Sequence, residues 1–252
     1  MTTTPAAAAV FGCTGAVGSQ ILSTLLTTEQ FQSVKTISRR LPNTQSPKLQ
    51  SLQEPDIFQW AGMISTLTPK PTTVFNAVGT MGNGPGGLAN QWKIDHDSVI
   101  DNAKAAKAAG VKTYVFISSG GTRSLLWGWV PYSRMKVGVE DAIKAMGFDT
   151  AIILRPGMII GRENAKVAFL ERFMESLNKL GQGVQDKIGE AFDCSRLHYV
   201  CMLMWKTAAD QTVIGRAAVA AARVAHDGNA PSNYWVVEQP DIIRLGRDEW
   251  KE

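Results

Sequence analysis

The chain has 252 residues, 44% of them hydrophobic and 19% charged, which is globular composition with enough length for a sizeable core. Its three cysteines, Cys13, Cys194 and Cys201, are an odd number without framework spacing, and its N-terminal "MTTTPAAAAV" carries no basic residue, so the expectation is a reduced intracellular protein with neither secretory signal nor Arg-rich presequence. Net charge of +4 favours anionic partners, but no run of five or six basic residues marks a nucleic-acid surface, and no stretch reaches the ~18 apolar residues of a membrane span.

In chain order, "AAAAVF" (6–11) is a short apolar run ending at glycine, read as a buried strand. "AVGSQILSTLLTTEQ" follows with Val17, Ile21, Leu22 and Leu25 at helical spacing. "SVKTISRR" predicts a second strand and residues 72–78 a third, which ends at Gly79. The glycine-rich "GTMGNGPGGLANQW" then predicts a flexible loop, either a substrate lid or a surface connection. "WKIDHDSVIDNAKAAKAAG" predicts a helix closed by Gly110, and "KTYVFISS" a strand. A helix starting at Pro131 and closed by Gly147, then the strand "TAIILRPG", complete the pattern. Strands alternating with helices mean βαβ units. Unbroken apolar runs mean strands covered on both faces. The expected fold is a Rossmann-like doubly wound parallel sheet, one domain over 1–252, with its core at about 6–160 and a substrate-binding region at about 161–252.

"VFGCTGAVGS" places Gly12, Gly15 and Gly18 between the first strand and the helix after it. In that context the triplet predicts a dinucleotide loop. Gly12 allows the tight turn, Gly15 lets backbone N–H groups approach a pyrophosphate, and Gly18 lets the helix pack on the strand. The candidate cofactor contacts are Gly12, Thr14, Gly15, Ala16, Val17 and Gly18, with Ala77 and Val78 at the end of the third strand. The second strand ends "TISRRL", with no acid for a ribose 2′-hydroxyl. Arg39 and Arg40 instead predict a clamp for the 2′-phosphate of NADPH; the alternative is two surface arginines that start a loop.

The remaining candidates are Ser119, Tyr132 and Lys136. Tyr132 and Lys136 lie one helical turn apart, about 5–6 Å at Cβ, and Ser119 follows a strand at its carboxyl end, where parallel sheets bind ligands. The set Gly12, Gly15, Gly18, Ser119, Tyr132, Lys136 and "LRPGMIIG" (154–161) resembles the short-chain dehydrogenase/reductase superfamily, in its atypical or extended branch. More narrowly, "YSRMKVGVEDAIKAMGFDTAIILRPG" and "DIIRLGRDEW" are similar to the fungal "found in mitochondrial proteome" family, relatives of the animal Tat-interacting oxidoreductase.

That resemblance implies an NADP(H)-dependent oxidoreductase acting on a small-molecule carbonyl. Tyr132 would be the proton donor, Lys136 the cation that lowers its pKa and holds the nicotinamide ribose, Ser119 a donor to the carbonyl oxygen, and the backbone after Pro156 a contact for the carboxamide. The competing reading is a cofactor-binding regulator or scaffold. Where many relatives have asparagine this chain has Asp95, which puts their proton relay in doubt; neighbouring His96 reads as structural. The resemblance also implies peripheral contact with the outer mitochondrial membrane on its cytosolic face, the alternative being cytoplasmic. Residues 186–211 fit the family badly and read as an apolar, Met-rich insertion, more core than membrane surface. Cys194, His198 and Cys201 give three ligands with no fourth, so no metal is expected.

Overall fold

A computed structural model describes residues 6–80, 85–124, 128–160 and 208–251 of the chain. The strands are β1 (Ala6–Phe11), β2 (Phe31–Ser38), β3 (Leu49–Gln53), β4 (Thr73–Asn76), β5 (Thr113–Ile117), β6 (Thr150–Arg155), β7 (Met158–Ile160), β8 (Ala208–Asp210) and β9 (Tyr234–Glu238). The α-helices are α1 (Ala16–Thr27), α2 (Trp60–Ile64), α3 (Gly87–Trp92), α4 (Ser98–Ala108), α5 (Pro131–Met146), α6 (Gln211–His226) and α7 (Gln239–Ile243). Among the described residues, seven strands form one sheet in the order β3-β2-β1-β4-β5-β6-β9, every pair parallel. β7 and β8 pair separately, also in parallel. The strand order reverses between β1 and β4, the place where open α/β sheets take ligands at their carboxyl ends.

The side-chain period of two sends alternate residues of each strand to opposite faces. Val10, Val115, Ile117, Ile152 and Leu154 join Ile21, Leu25, Ile214 and Val219 from α1 and α6 on one side. Phe11, Tyr114, Phe116, Ala151 and Ile153 join Ile64, Val99, Ala103, Val139 and Ile143 from α2, α4 and α5 on the other. The expected doubly wound sheet is therefore observed.

Three features differ from the sequence reading. The glycine-rich connection after β4 is not loop throughout, since residues 87–92 are helical. The helix read from Trp92 is interrupted at Lys93–Asp97 by a π turn, between α3 and α4. β3, β7, β8, β9, α2, α6 and α7 were not foreseen. The insertion reading for 186–211 and the Cys194, His198, Cys201 trio lie, save for residues 208–211, outside the described residues.

Candidate functional site

The carboxyl ends of β1 and β4 meet at the glycine loop. The loop turns at Gly12, whose φ is +76° and whose added Cβ would lie 2.8 Å from the backbone of Ala77. Any other residue there is both strained and crowded. The amide of Ala77 donates to Phe11 O at 3.1 Å, and Asn76 Oδ1 accepts from the amide of Val78 at 3.1 Å. Asn76 is itself anchored, its Nδ2 donating to the buried hydroxyl of Tyr114 at 2.9 Å. The loop and Ala77–Val78 are thus one rigid backbone unit. Gly15 caps α1, and Gly18 lies so close to the Gly12 carbonyl that a Cβ has no room. No acid occupies the first turn of α1, so its N-terminal amides keep their attraction for an anion.

Beside this loop a cleft of about 460 Å³ opens, lined by Cys13, Thr14, Ser19, Ser23, Arg40, Asn43 and Thr44 among others, with no carboxylate among the described residues of its wall. Arg40 is the charged residue facing it, while the carbonyl of Arg39 accepts from Gln53 Nε2 at 3.1 Å. Burial pushes the Cys13 thiol up, so this cysteine is a neutral wall rather than an anion.

Ser119, Tyr132 and Lys136 all stand at the carboxyl edge around β5. Pro131 occupies the first turn of α5, which puts Tyr132 at the helix mouth, 38% exposed, and Lys136 one turn further in, 4% exposed. Lys136 Nζ donates to Ile117 O at 3.2 Å and sits 4.8 Å from the centre of the Phe116 ring. Burial pushes its pKa down, opposed by the charges of Asp95 and Glu140. The two serines have separate roles. Ser118 is buried and its hydroxyl donates to Glu140 Oε1. Ser119 is half-buried and, among the described residues, its hydroxyl is committed to no protein partner. The loop carrying it is tied to the one after β6, since the amide of Gly120 donates to Pro156 O at 2.7 Å.

Glu140 is fully buried beneath these loops and accepts from Arg155 Nη2 at 2.6 Å and Arg123 Nε at 3.0 Å. Burial pushes its carboxyl up, but the hydrogen bonds from Arg155 and Ser118 outweigh that and hold it below the ordinary range. Sequence reasoning missed Glu140. The signal was there, because it lies one turn beyond Lys136 on the same face of α5.

Asp95 sits in the π turn and is 1% exposed. Its Oδ1 accepts from the amide and the hydroxyl of Thr80 at 2.8 and 2.9 Å, and Oδ2 from Gln91 Nε2 at 3.4 Å. Burial pushes its carboxyl up, and the charge of Lys136 opposes this. His96 is a spacer between helices. It packs on Trp92 with ring centroids 4.9 Å apart, shares a short contact with Asp97, and fills the place a Cβ on Gly138 would take.

A parallel doubly wound sheet, a glycine loop at its switch point and a Ser–Tyr–Lys set beside it define a dinucleotide-type oxidoreductase fold. The NAD dependent epimerase/dehydratase family matches residues 8–188, and the chain belongs to it. The relatives narrow the group. The chain is 64% identical to "Protein fmp52-2, mitochondrial" of Aspergillus oryzae over 97% of its own length and 99% of the relative's. It is 48% identical to "Protein fmp-52, mitochondrial" of Neurospora crassa over 100% of this chain and 99% of that one. The resemblance to the extended dehydrogenase/reductase branch and its fungal mitochondrial members is borne out. Among solved structures, MoeE5 in complex with UDP-glucose and NAD superposes with a TM-score of 0.62 at 15% identity, covering 96% of this chain and 81% of that one. Bordetella bronchiseptica WbmH in complex with NAD+ gives 0.55 at 18% identity, covering 69% and 64%. At such identities the likeness is one of fold.

Proposed function

We propose that the protein is an NADPH-dependent reductase that converts a carbonyl of an apolar small molecule to an alcohol. The observation that carries this reading is the pairing of a buried Lys136 with Tyr132 at the mouth of the same helix, beside a loop whose Ser119 hydroxyl has no partner among the described residues. NADPH, when bound, supplies the hydride. Tyr132 gives its proton to the carbonyl oxygen, Ser119 donates a hydrogen bond to that oxygen, and the Lys136 charge stabilises the phenolate left behind. The backbone of Thr14, Gly15, Ala16 and Val17 at the start of α1 suits a diphosphate. Ala77, Val78 and Pro156 line the nicotinamide side. Preference for the 2′-phosphate rests on Arg40 in an acid-free cleft, with Arg39 beside it.

The test is a tryptophan-fluorescence titration with NADPH and with NADH, followed by a carbonyl screen. NADPH is expected to bind more tightly, Arg40→Ala to erase the difference, and Tyr132→Phe to abolish turnover without loss of binding. Equal affinity for both cofactors overturns the NADPH assignment. Cofactor binding with no turnover of any carbonyl favours the cofactor-sensing scaffold.

We also infer a peripheral position on the cytosolic face of the outer mitochondrial membrane. It is supported by the relatives' printed mitochondrial names and by the lack, among the described residues, of a helix long and apolar enough to cross a membrane. Tagged protein should sediment with mitochondria, be released by alkaline carbonate and be digested by external protease. Recovery in the soluble fraction alone rejects the assignment.

A further inference from the structure

The helix behind the site carries a π turn, and the residue that turn buries is an acid. A carboxylate as buried as Asp95 needs a positive partner or must give up its charge. Its hydrogen-bond donors, Thr80 and Gln91, are neutral. The cation is on α5, against which the π turn packs, with the His96 ring set directly on Gly138. Lys136, two residues before Gly138, has a carbonyl at 3.2 Å and an aromatic face at 4.8 Å, and neither carries a formal charge. Among the described residues, the other titratable groups around the pair are already engaged: Glu140 by Arg155 and Arg123, and His96 by Asp97. Lys93, in the π turn itself, is exposed to solvent. Asp95 and Lys136 are not in direct contact, so the coupling between them acts through the low dielectric of the interior.

We propose that Asp95 is the counter-ion of Lys136 and that, through it, Asp95 sets the pH at which Tyr132 loses its proton. Asp95 touches no substrate and is a positioning residue in the electrostatic sense. An ammonium alone makes a neighbouring phenol more acidic, whereas an anion behind that ammonium offsets part of the effect. With Asp95 in place, Tyr132 stays protonated to higher pH than Lys136 alone would allow. A protonated phenol is the starting state of a general acid. An acid at this position therefore biases the site toward reduction of a carbonyl rather than oxidation of an alcohol.

This inference rests on Tyr132 and Lys136 being the proton-handling pair, and the experiment separates the two claims. Protein labelled with [ζ-13C]tyrosine is titrated by NMR, the Tyr132 resonance being assigned with Tyr132→Phe. Because the titrations are coupled, the readout is the first midpoint of the Tyr132 signal. Lys136→Met should move it to higher pH; no movement refutes the proton-handling pair itself. Asp95→Asn should move it to lower pH, and Asp95→Glu should leave it near the wild-type value. A midpoint unchanged in Asp95→Asn, while Lys136→Met shifts it, overturns the counter-ion assignment and leaves the pair standing. Should Asp95→Asn not fold, [γ-13C]aspartate reads the same coupling from the other side, with Asp95→Glu as the assignment variant. Removing the cation by Lys136→Met should then raise the Asp95 carboxyl midpoint, and an unchanged midpoint overturns the proposal.

Discussion

Gly18 has no room for a side chain, because its Cβ would fall on the carbonyl of Gly12, a backbone atom that cannot swing away. At Gly15 the added Cβ would lie 3.3 Å from the same carbonyl, a contact that a small shift relieves. Gly18→Ala should therefore weaken binding of the nicotinamide cofactor at least about tenfold, roughly 1.4 kcal/mol, and more than Gly15→Ala does. Fluorescence titration of the two variants side by side checks it; equal losses would mean that steric packing of α1 on the loop is not what the third glycine provides. Other single residues are less readable. Lys35 is 2% exposed within β2, its ammonium held by Gln50 Oε1 at 2.6 Å and by the carbonyl of Thr68. Nothing local in "SVKTIS" marks that lysine as buried, because its partners come from β3 and from the turn before β4.

The helix α5 was legible end to end. Pro131 opens it, Gly147 closes it with φ +62°, and Tyr132 and Lys136 share a face as the spacing requires. What one helix cannot reveal is which neighbours its buried acid meets. Glu140 draws together Arg123, Arg155 and Ser118 from two other segments and so ties the loops after β5 and β6 to the helix that carries the tyrosine. Its carboxyl is held below the ordinary value of ~4.3, so its stabilising contribution is fully present above that value and is lost as pH falls through the lower folded one. Glu140→Gln should cost about 1–3 kcal/mol at pH 7, because Arg155 then keeps only Glu238 and Arg123 only Asp141. It should also flatten the loss of stability on acidification. Urea midpoints measured from pH 7 down to pH 3 decide; parallel curves for the two proteins would remove Glu140 from the acid response. The helix before β5 was only half legible. Its strong formers announced α4, but the π turn depends on Asp95 being drawn inward by Thr80, a long-range demand with no local signature.

For the molecule as a whole, the doubly wound architecture could be read because β1, β4, β5 and β6 are buried on both faces and so appear as unbroken apolar runs. The edges could not be read the same way. β3 is "LQSLQ", with no fully buried residue, and β9 is half-buried. α6 is rich in alanine because it is pressed between α1 and the final turns of the chain, with Gly246 against Val213. Its buried Ile214, Ala217, Ala218, Ala221 and Ala222 nonetheless recur at helical spacing, so this helix was legible although it went unread.

The sheet is completed by a strand that comes late in the chain, and this separates what must stay constant from what is at liberty to change. β9 joins β6 only after residues 161–207 have intervened, and the short ribbon of β7 and β8 brings the two ends of that stretch side by side, Met158 opposite Ala208 and Ile160 opposite Asp210. Because the ribbon is parallel, the chain leaves at the carboxyl end of β7 and comes back at the amino end of β8. The stretch between β7 and β8 can therefore change in length without altering a hydrogen bond of the seven-stranded sheet, which includes neither strand.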